Sequence, residues 1–268
     1  MTRELPVPLL DADAVAEAAA EVFVAAANAA VERSGRFVAA LAGGSTPSAT
    51  YARLATDAFA SRIPWESVWI AFGDERNVPP DHEASNVGMA HETLLDKVPI
   101  PPEQILGPVG GGPQPARAAW FYEEALKELF PGVAFPRFDL VFLGLGEDGH
   151  TASLFPGTGA LSEHEKWVTA NWLAATEEWR ITLTYPTINH ASLILFLVIG
   201  RSKAPIVAEV FGRAPHDGLY PAERVDPVDG TVEVFLDREA AAELDRVDPR
   251  PKSPPDEFPG RAAAESPR

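Results

Sequence analysis

The stretch Phe138 to Pro156, FDLVFLGLGEDGHTASLFP, holds the residues best suited to chemistry in this chain. Phe138, Leu140, Val141, Phe142, Leu143 and Leu145 form a near-continuous apolar run, the pattern of a parallel strand covered on both faces. The run breaks at Gly144 and Gly146 and then presents Asp148, Gly149 and His150. A histidine two residues after an aspartate suits proton transfer near neutral pH. In an open α/β sheet, ligands bind in the crevice beyond the carboxyl ends of the strands, where these residues are expected.

Other segments offer binding groups. In Gly43-Gly44-Ser45-Thr46-Pro47 the paired glycines allow close backbone approach, Thr46 reads as an N-cap and Pro47 as the first helical residue. Such a helix start presents free N–H groups and a positive dipole end, although the same sequence also serves an ordinary turn. Asp74-Glu75-Arg76 follows the apolar segment Val68 to Phe72, on the sheet edge expected for His150. Arg180 opens a strand and Lys203 opens a helix. Each is unremarkable alone, but Arg76, Arg180 and Lys203 together are three cations that one edge could gather around a phosphate.

Two further patterns fail. Gly144, Gly146 and Gly149 spell the dinucleotide fingerprint G-x-G-x-x-G, but Glu147 and Asp148 put negative charge where a pyrophosphate would sit. The acidic ribose ligand due roughly 20 residues on is also missing, since that window reads Val168, Thr169, Ala170. His82-Glu83 and His91-Glu92 do not continue as H-E-x-x-H, because Asn86 and Leu95 replace the second histidines. His164, His190 and His216 carry no local pattern and read as surface or loop residues. With no cysteine, disulfide and thiolate chemistry are excluded, and no metal or other cofactor is expected.

The elements that must position these groups follow from periodicity. Helices are predicted over Ala14–Arg33, with Asp11 or Asp13 as cap, then after Pro47, over Asn86–Leu95, Ala116–Phe130, Lys203–Phe211 and Arg238–Arg246. Strands are predicted over Arg36–Ala42, Val68–Phe72, Phe138–Leu145, Trp167–Asn171, Ile181–Thr184, Ser192–Ile199 and Thr231–Leu236. Gly73–Ser85 and Pro99–Pro113 read as loops. Strands alternating with helices imply an α/β fold with a largely parallel sheet. Residues 1–247 read as one domain, and 248–268, rich in proline with Phe258 as its one aromatic, as a disordered tail.

At 268 residues and 46% hydrophobic the chain can bury a sizeable core. Its net charge of −17 argues against nucleic acid and against an anionic membrane surface as partners. The alanine-rich run from Ala14 to Val31 is interrupted by Glu17, Glu21 and Asn28, so no signal peptide and no bilayer-spanning stretch is read there. A cytoplasmic protein, monomeric or a small homo-oligomer, is expected.

The segments LAGGSTP (Leu41 to Pro47), GDERNVPPDHEASN (Gly73 to Asn86) and LGLGEDGHTASLFPG (Leu143 to Gly157) closely resemble 6-phosphogluconolactonases. So do Arg180-Ile181-Thr182 and Gly200-Arg201-Ser202-Lys203, and the matches keep the family's order over roughly residues 10 to 245. The resemblance implies a doubly wound, Rossmann-like α/β fold shared with glucosamine-6-phosphate deaminases, and metal-free hydrolysis of 6-phosphogluconolactone in the oxidative pentose phosphate pathway. The related deaminases tend to read Asp-Glu-Tyr in the acidic loop and Phe-Asn-Glu-Pro after the histidine. Arg76 and Leu154-Phe155-Pro156 stand there instead and favour the lactonase. One departure is Val234-Phe235, where many lactonases carry a tryptophan in the last strand.

The expected mechanism is general-base hydrolysis by His150, its imidazole oriented by Asp148 or Asp74. Backbone N–H groups of Gly43 and Gly44 are candidates for the oxyanion. Ser45, Thr46, Arg76, Arg180 and Lys203 are expected to bind the sugar phosphate. Two competitors are a sugar-phosphate isomerase or deaminase and a non-catalytic sugar-phosphate sensor. Retention of Asp148 and His150, and the lack of a DNA-binding segment, favour the hydrolase.

Overall fold

Strict alternation of side chains along five buried strands decides the architecture. In a computed structural model, residues 2–3, 6–212 and 218–244 are described. The proposed tail 248–268 and His216 lie outside the described residues.

The first half of the chain runs β1 (Thr2–Arg3), β2 (Val7–Leu9), α1 (Ala12–Ser34), β3 (Phe37–Leu41), α2 (Ser45–Leu54) and α3 (Asp57–Ala60). It continues through β4 (Val68–Phe72), β5 (Asp74–Arg76), α4 (Asn86–Ala90) and α5 (Pro115–Leu129). The second half runs β6 (Leu140–Leu143), β7 (Val168–Leu173), β8 (Glu178–Leu183) and α6 (Tyr185–Asn189). It ends with β9 (Leu193–Val198), α7 (Ala204–Phe211) and β10 (Thr231–Asp237).

The main sheet has the order β1-β10-β9-β6-β3-β4, with β2 also on β10, and every pair in it is parallel. Phe37, Ala39, Leu41, Leu140 and Phe142 face one apolar layer with α1 and α2; Val38, Ala40, Val141 and Leu143 face the other with α5, α6 and α7. The sheet is thus doubly wound, as expected. Phe23 of α1 anchors the first layer, edge-on to Phe37 at 5.0 Å and stacked with Phe142 at 6.3 Å.

The chain leaves β3 toward β4 on one side and resumes at β6 on the other, with β9 and β10 further out. Between the carboxyl ends of β3 and β6 the winding therefore reverses, which opens a ligand crevice there. Two buried tyrosines fix the strand ends beside it. The Tyr51 hydroxyl accepts from Ala42 N–H and donates to Ala42 C=O, both at 2.9 Å. Tyr122 does the same for Phe72, at 2.7 and 2.8 Å. Burial pushes both phenols well above the usual tyrosine range, so they stay neutral and can do both jobs.

Several expectations are corrected. The stretch 73–85 is not all loop, because β5 runs on from β4 into a second sheet, β5-β8-β7, which is antiparallel. β7 and β8 therefore do not join the parallel sheet. Residues 238–244 form turns rather than the start of a regular helix, although Asp237 Oδ1 takes the Ala240 N–H at 2.7 Å as an N-cap would. Helix α1, capped by Asp11, is long and apolar enough by composition to cross a membrane, contrary to the reading above. Its apolar face, Val15 through Ala30, is buried in the first layer.

Replacing Tyr122 with Phe leaves both polar groups of Phe72 without that partner. The variant should lose roughly 1–3 kcal/mol of stability by denaturant unfolding. An unchanged unfolding midpoint and slope would show that water or a shifted backbone replaces the clasp.

Candidate active site

The turn after β6 is built around its histidine. Gly146 N–H bonds back to His150 C=O at 2.8 Å, and Gly149, at φ 77°, lets the chain reverse between them. A Cβ on Gly146 would lie 2.0 Å from His150 Nδ1, so only glycine admits the imidazole. Asp148 Oδ1 sits 2.5 Å from that Nδ1 and also accepts the His150 backbone N–H at 3.1 Å. Phe155 stacks on the ring, centroids 3.9 Å apart. The Asp148 contact assigns the proton to Nδ1 and leaves Nε2 free to accept one. Burial works to raise the Asp148 carboxyl, but the His150 hydrogen bond and charge outweigh it and hold it below the usual carboxylate range.

Asp74, the alternative orienting carboxylate, is engaged elsewhere. Its Oδ2 accepts from Ser153 Oγ at 2.6 Å and its Oδ1 faces Asn86 Nδ2 at 3.5 Å. Among the described residues His150 Nδ1 donates to Asp148 alone, so Asp74 is better read as holding the turn through Ser153.

On the opposite wall of the crevice, Gly44 (φ 101°) is the N-cap of α2 and the helix begins at Ser45. Thr46 therefore lies inside the first turn, buried, and is not the cap expected from sequence. The left-handed Gly44 starts the helix two residues early. The first helical bond runs from Ser48 to Gly44, so the N–H groups of Ser45 and Thr46 have no helical partner.

The cations gather as β5 pairs with β8. Arg76 and Arg180 are direct cross-strand partners and so share one face. Arg76 Nη1 donates to Ala84 C=O at 2.9 Å and Asn86 Oδ1 at 2.5 Å; Arg180 Nη2 donates to Glu178 Oε1 at 2.6 Å. Both Nε atoms are buried with no acceptor among the described residues. Burial works to raise the Glu178 carboxyl, but bonds from Arg180 and Thr176 and the charges of Arg180 and Arg76 hold it low. Lys203 ends the turn after β9, at the carboxyl end of the main sheet rather than on the β5–β8 pair, with no ion pair among the described residues. No group of three or more His, Asp or Glu side chains is placed to hold a metal among the described residues.

The family model for glucosamine-6-phosphate isomerases/6-phosphogluconolactonase matches residues 10–234. The chain belongs to this family. A 6-phosphogluconolactonase of Nostoc sp. is 42% identical over 218 residues, 80% of this chain and 88% of that protein. The solved 6-phosphogluconolactonase of Trypanosoma brucei superposes with TM-score 0.78 at 30% identity, covering 91% of this chain and 100% of that one. A monomeric glucosamine-6-phosphate deaminase, at 22% identity, TM-score 0.73 and coverage of 89% and 99%, shares the fold.

Within this family fold, three side chains escaped the sequence reading. Asn86 had a legible signal, since it closes the acidic segment. Glu178 stands two residues before Arg180 and so on its face of the strand, a signal available once β8 is extended to Glu178. Phe155 lies within the histidine segment, but its stacking could not be read from spacing.

Inorganic phosphate should raise the melting temperature of the protein, because an anion that binds only the folded state stabilises it by mass action. Arg180→Ala should abolish most of that rise. An undiminished rise in the variant would place the anion away from the arginine pair.

Proposed function

We propose that this chain hydrolyses 6-phospho-D-glucono-1,5-lactone to 6-phospho-D-gluconate, a step of the oxidative pentose phosphate pathway, with no metal or organic cofactor. The observation that carries the reading is an imidazole with Nδ1 on a carboxylate, in a turn that Ser153 ties to Asp74 and Thr182 of the strand pair bearing Arg76 and Arg180. The relatives bearing the name 6-phosphogluconolactonase support it.

In this reading Nε2 of His150 takes a proton from water as the water oxygen attacks C1 of the lactone. The negative charge of Asp148 stabilises the imidazolium. N–H groups of Gly43 and Gly44 are the proposed donors to the oxyanion. As the tetrahedral intermediate collapses, the bond from C1 to the ring oxygen breaks and the ring oxygen takes the proton back from Nε2. The new carboxylic acid releases its proton to solvent. Arg76, Arg180 and Lys203, with Ser45 and Thr46, hold the phosphate end of the sugar. A lactone carbonyl is already electrophilic, so one base and a few fixed donors suffice.

Replacing His150 with Ala should leave the protein folded and able to bind product, while kcat falls by roughly 10²–10⁴-fold. Arg180→Ala should chiefly weaken binding, by about 1.5–3 kcal/mol in kcat/KM. That penalty should vanish on unphosphorylated gluconolactone. Near-normal turnover by the His150 variant would exclude it as the base; equal losses on both lactones would move Arg180 off the phosphate.

A further inference from the structure

Asn86 touches two of the segments that build this site, β5 at both of its ends and the turn at Gly43. Its Nδ2 donates to Asp74 C=O at 2.9 Å, and its Oδ1 accepts from Arg76 Nη1 at 2.5 Å. The amide orientation is fixed by chemistry, because a guanidinium can only donate and a carbonyl can only accept. On the third side it fills the place of a side chain at Gly43, where a Cβ would lie 2.0 Å from Oδ1 and 2.4 Å from Cγ. Asn86 cannot easily yield. It is 2% exposed, and its backbone N–H is held by Glu75 Oε1 at 2.8 Å. The other Glu75 oxygen takes Val87 N–H and Ser85 Oγ, at 2.8 and 2.9 Å.

We propose that Asn86 is a positioning residue for the substrate phosphate, and that residue 43 must be glycine because Asn86 occupies its side-chain space. The proposal rests on the lactonase reading above for its substrate, but not for its anion. Arg76 faces Arg180 across the strand pair, and Glu178 lies close enough for its carboxylate to feel both charges. With its Nη1 tethered to Asn86 and Ala84, Arg76 keeps Nη2 for a ligand. Without Asn86 one tether remains, and the guanidinium is free to swing toward Glu178. Phosphate must then order an arginine that the native site holds in advance.

The test is a double-mutant cycle on two substrates. Asn86→Ala should raise KM for the phosphorylated lactone by roughly 10- to 100-fold, the equivalent of one lost charged hydrogen bond. Its kcat, the pH profile of kcat and its kcat/KM on unphosphorylated gluconolactone should stay within about threefold of the parent. Gly43→Ala, which displaces Asn86 from the other side, should likewise raise KM for the phosphorylated lactone; only its KM is compared, because Gly43 N–H is a proposed oxyanion donor. The double variant should be no worse than either single one, because removing Asn86 opens the space that the new methyl needs. Asn86→Ser provides the same cavity should Asn86→Ala fail to fold. In Asn86→Ala, equal losses on both lactones or a fall in kcat alone would overturn the proposal, as would KM losses that multiply in the double variant. Calorimetric titration with inorganic phosphate separates it from the lactonase reading. Weaker phosphate binding by Asn86→Ala supports the proposal even if the parent opens no lactone, and unchanged binding refutes it even if the parent does.

Discussion

Two guanidinium groups set directly opposite each other on an antiparallel strand pair repel, and their buried Nε atoms lack acceptors among the described residues. A chain with net charge −17 has ample carboxylate to neutralise them, yet among the described residues only Glu178 forms an ion pair with either. Asn86, a neutral amide, holds the other arginine. The arrangement sets two guanidinium groups side by side on one face and fixes their geometry from behind, as recognition of a small anion requires. Glu75 extends the support by capping α4, and so holds Asn86 in place. Burial raises the Glu75 carboxyl, and bonds from Asn86, Val87, Arg76 and Ser85 only partly offset that.

This face becomes useful because of where the winding of the sheet reverses. The carboxyl ends of β3 and β6 meet at that point, one bearing the Gly43-Gly44 turn and the other the Asp148–His150 turn. Tyr51 and Tyr122 then pin the last peptides of the strands leading into the glycine turn and the acidic segment. β5 carries Arg76 beyond the edge of the main sheet, where β8 brings Arg180 to it. The arginine pair and the Asp148–His150 turn thus stand on two sheets joined at Gly73, whose N–H bonds to Leu41 C=O and whose C=O accepts from Leu183.

The parallel core was legible because β3, β4, β6, β9 and β10 are continuous apolar runs between helical patterns. The second sheet was not recognised. β5 is three charged residues long, and β7 and β8 mix Thr169, Asn171 and Arg180 with partly exposed Trp172 and Trp179. Such strands are defined by their partners rather than by their own burial. At the site, His150 and Asp148 stood out by spacing, whereas the choice between Asp148 and Asp74 needed coordinates. Thr46 was misjudged as a cap because a left-handed Gly44 can take that place without a side-chain bond. Asn86 and Glu178 act on other protein groups, and sequence spacing does not reveal that kind of role.

The central claim is that the edge uniting His150 with the arginine pair opens a phosphorylated lactone. Its most direct test is proton release by the purified protein on adding freshly prepared 6-phosphogluconolactone, run beside ammonia release from glucosamine 6-phosphate. The account predicts proton release well above the spontaneous rate and no ammonia. Ammonia from the aminosugar with no acceleration of lactone opening would contradict it.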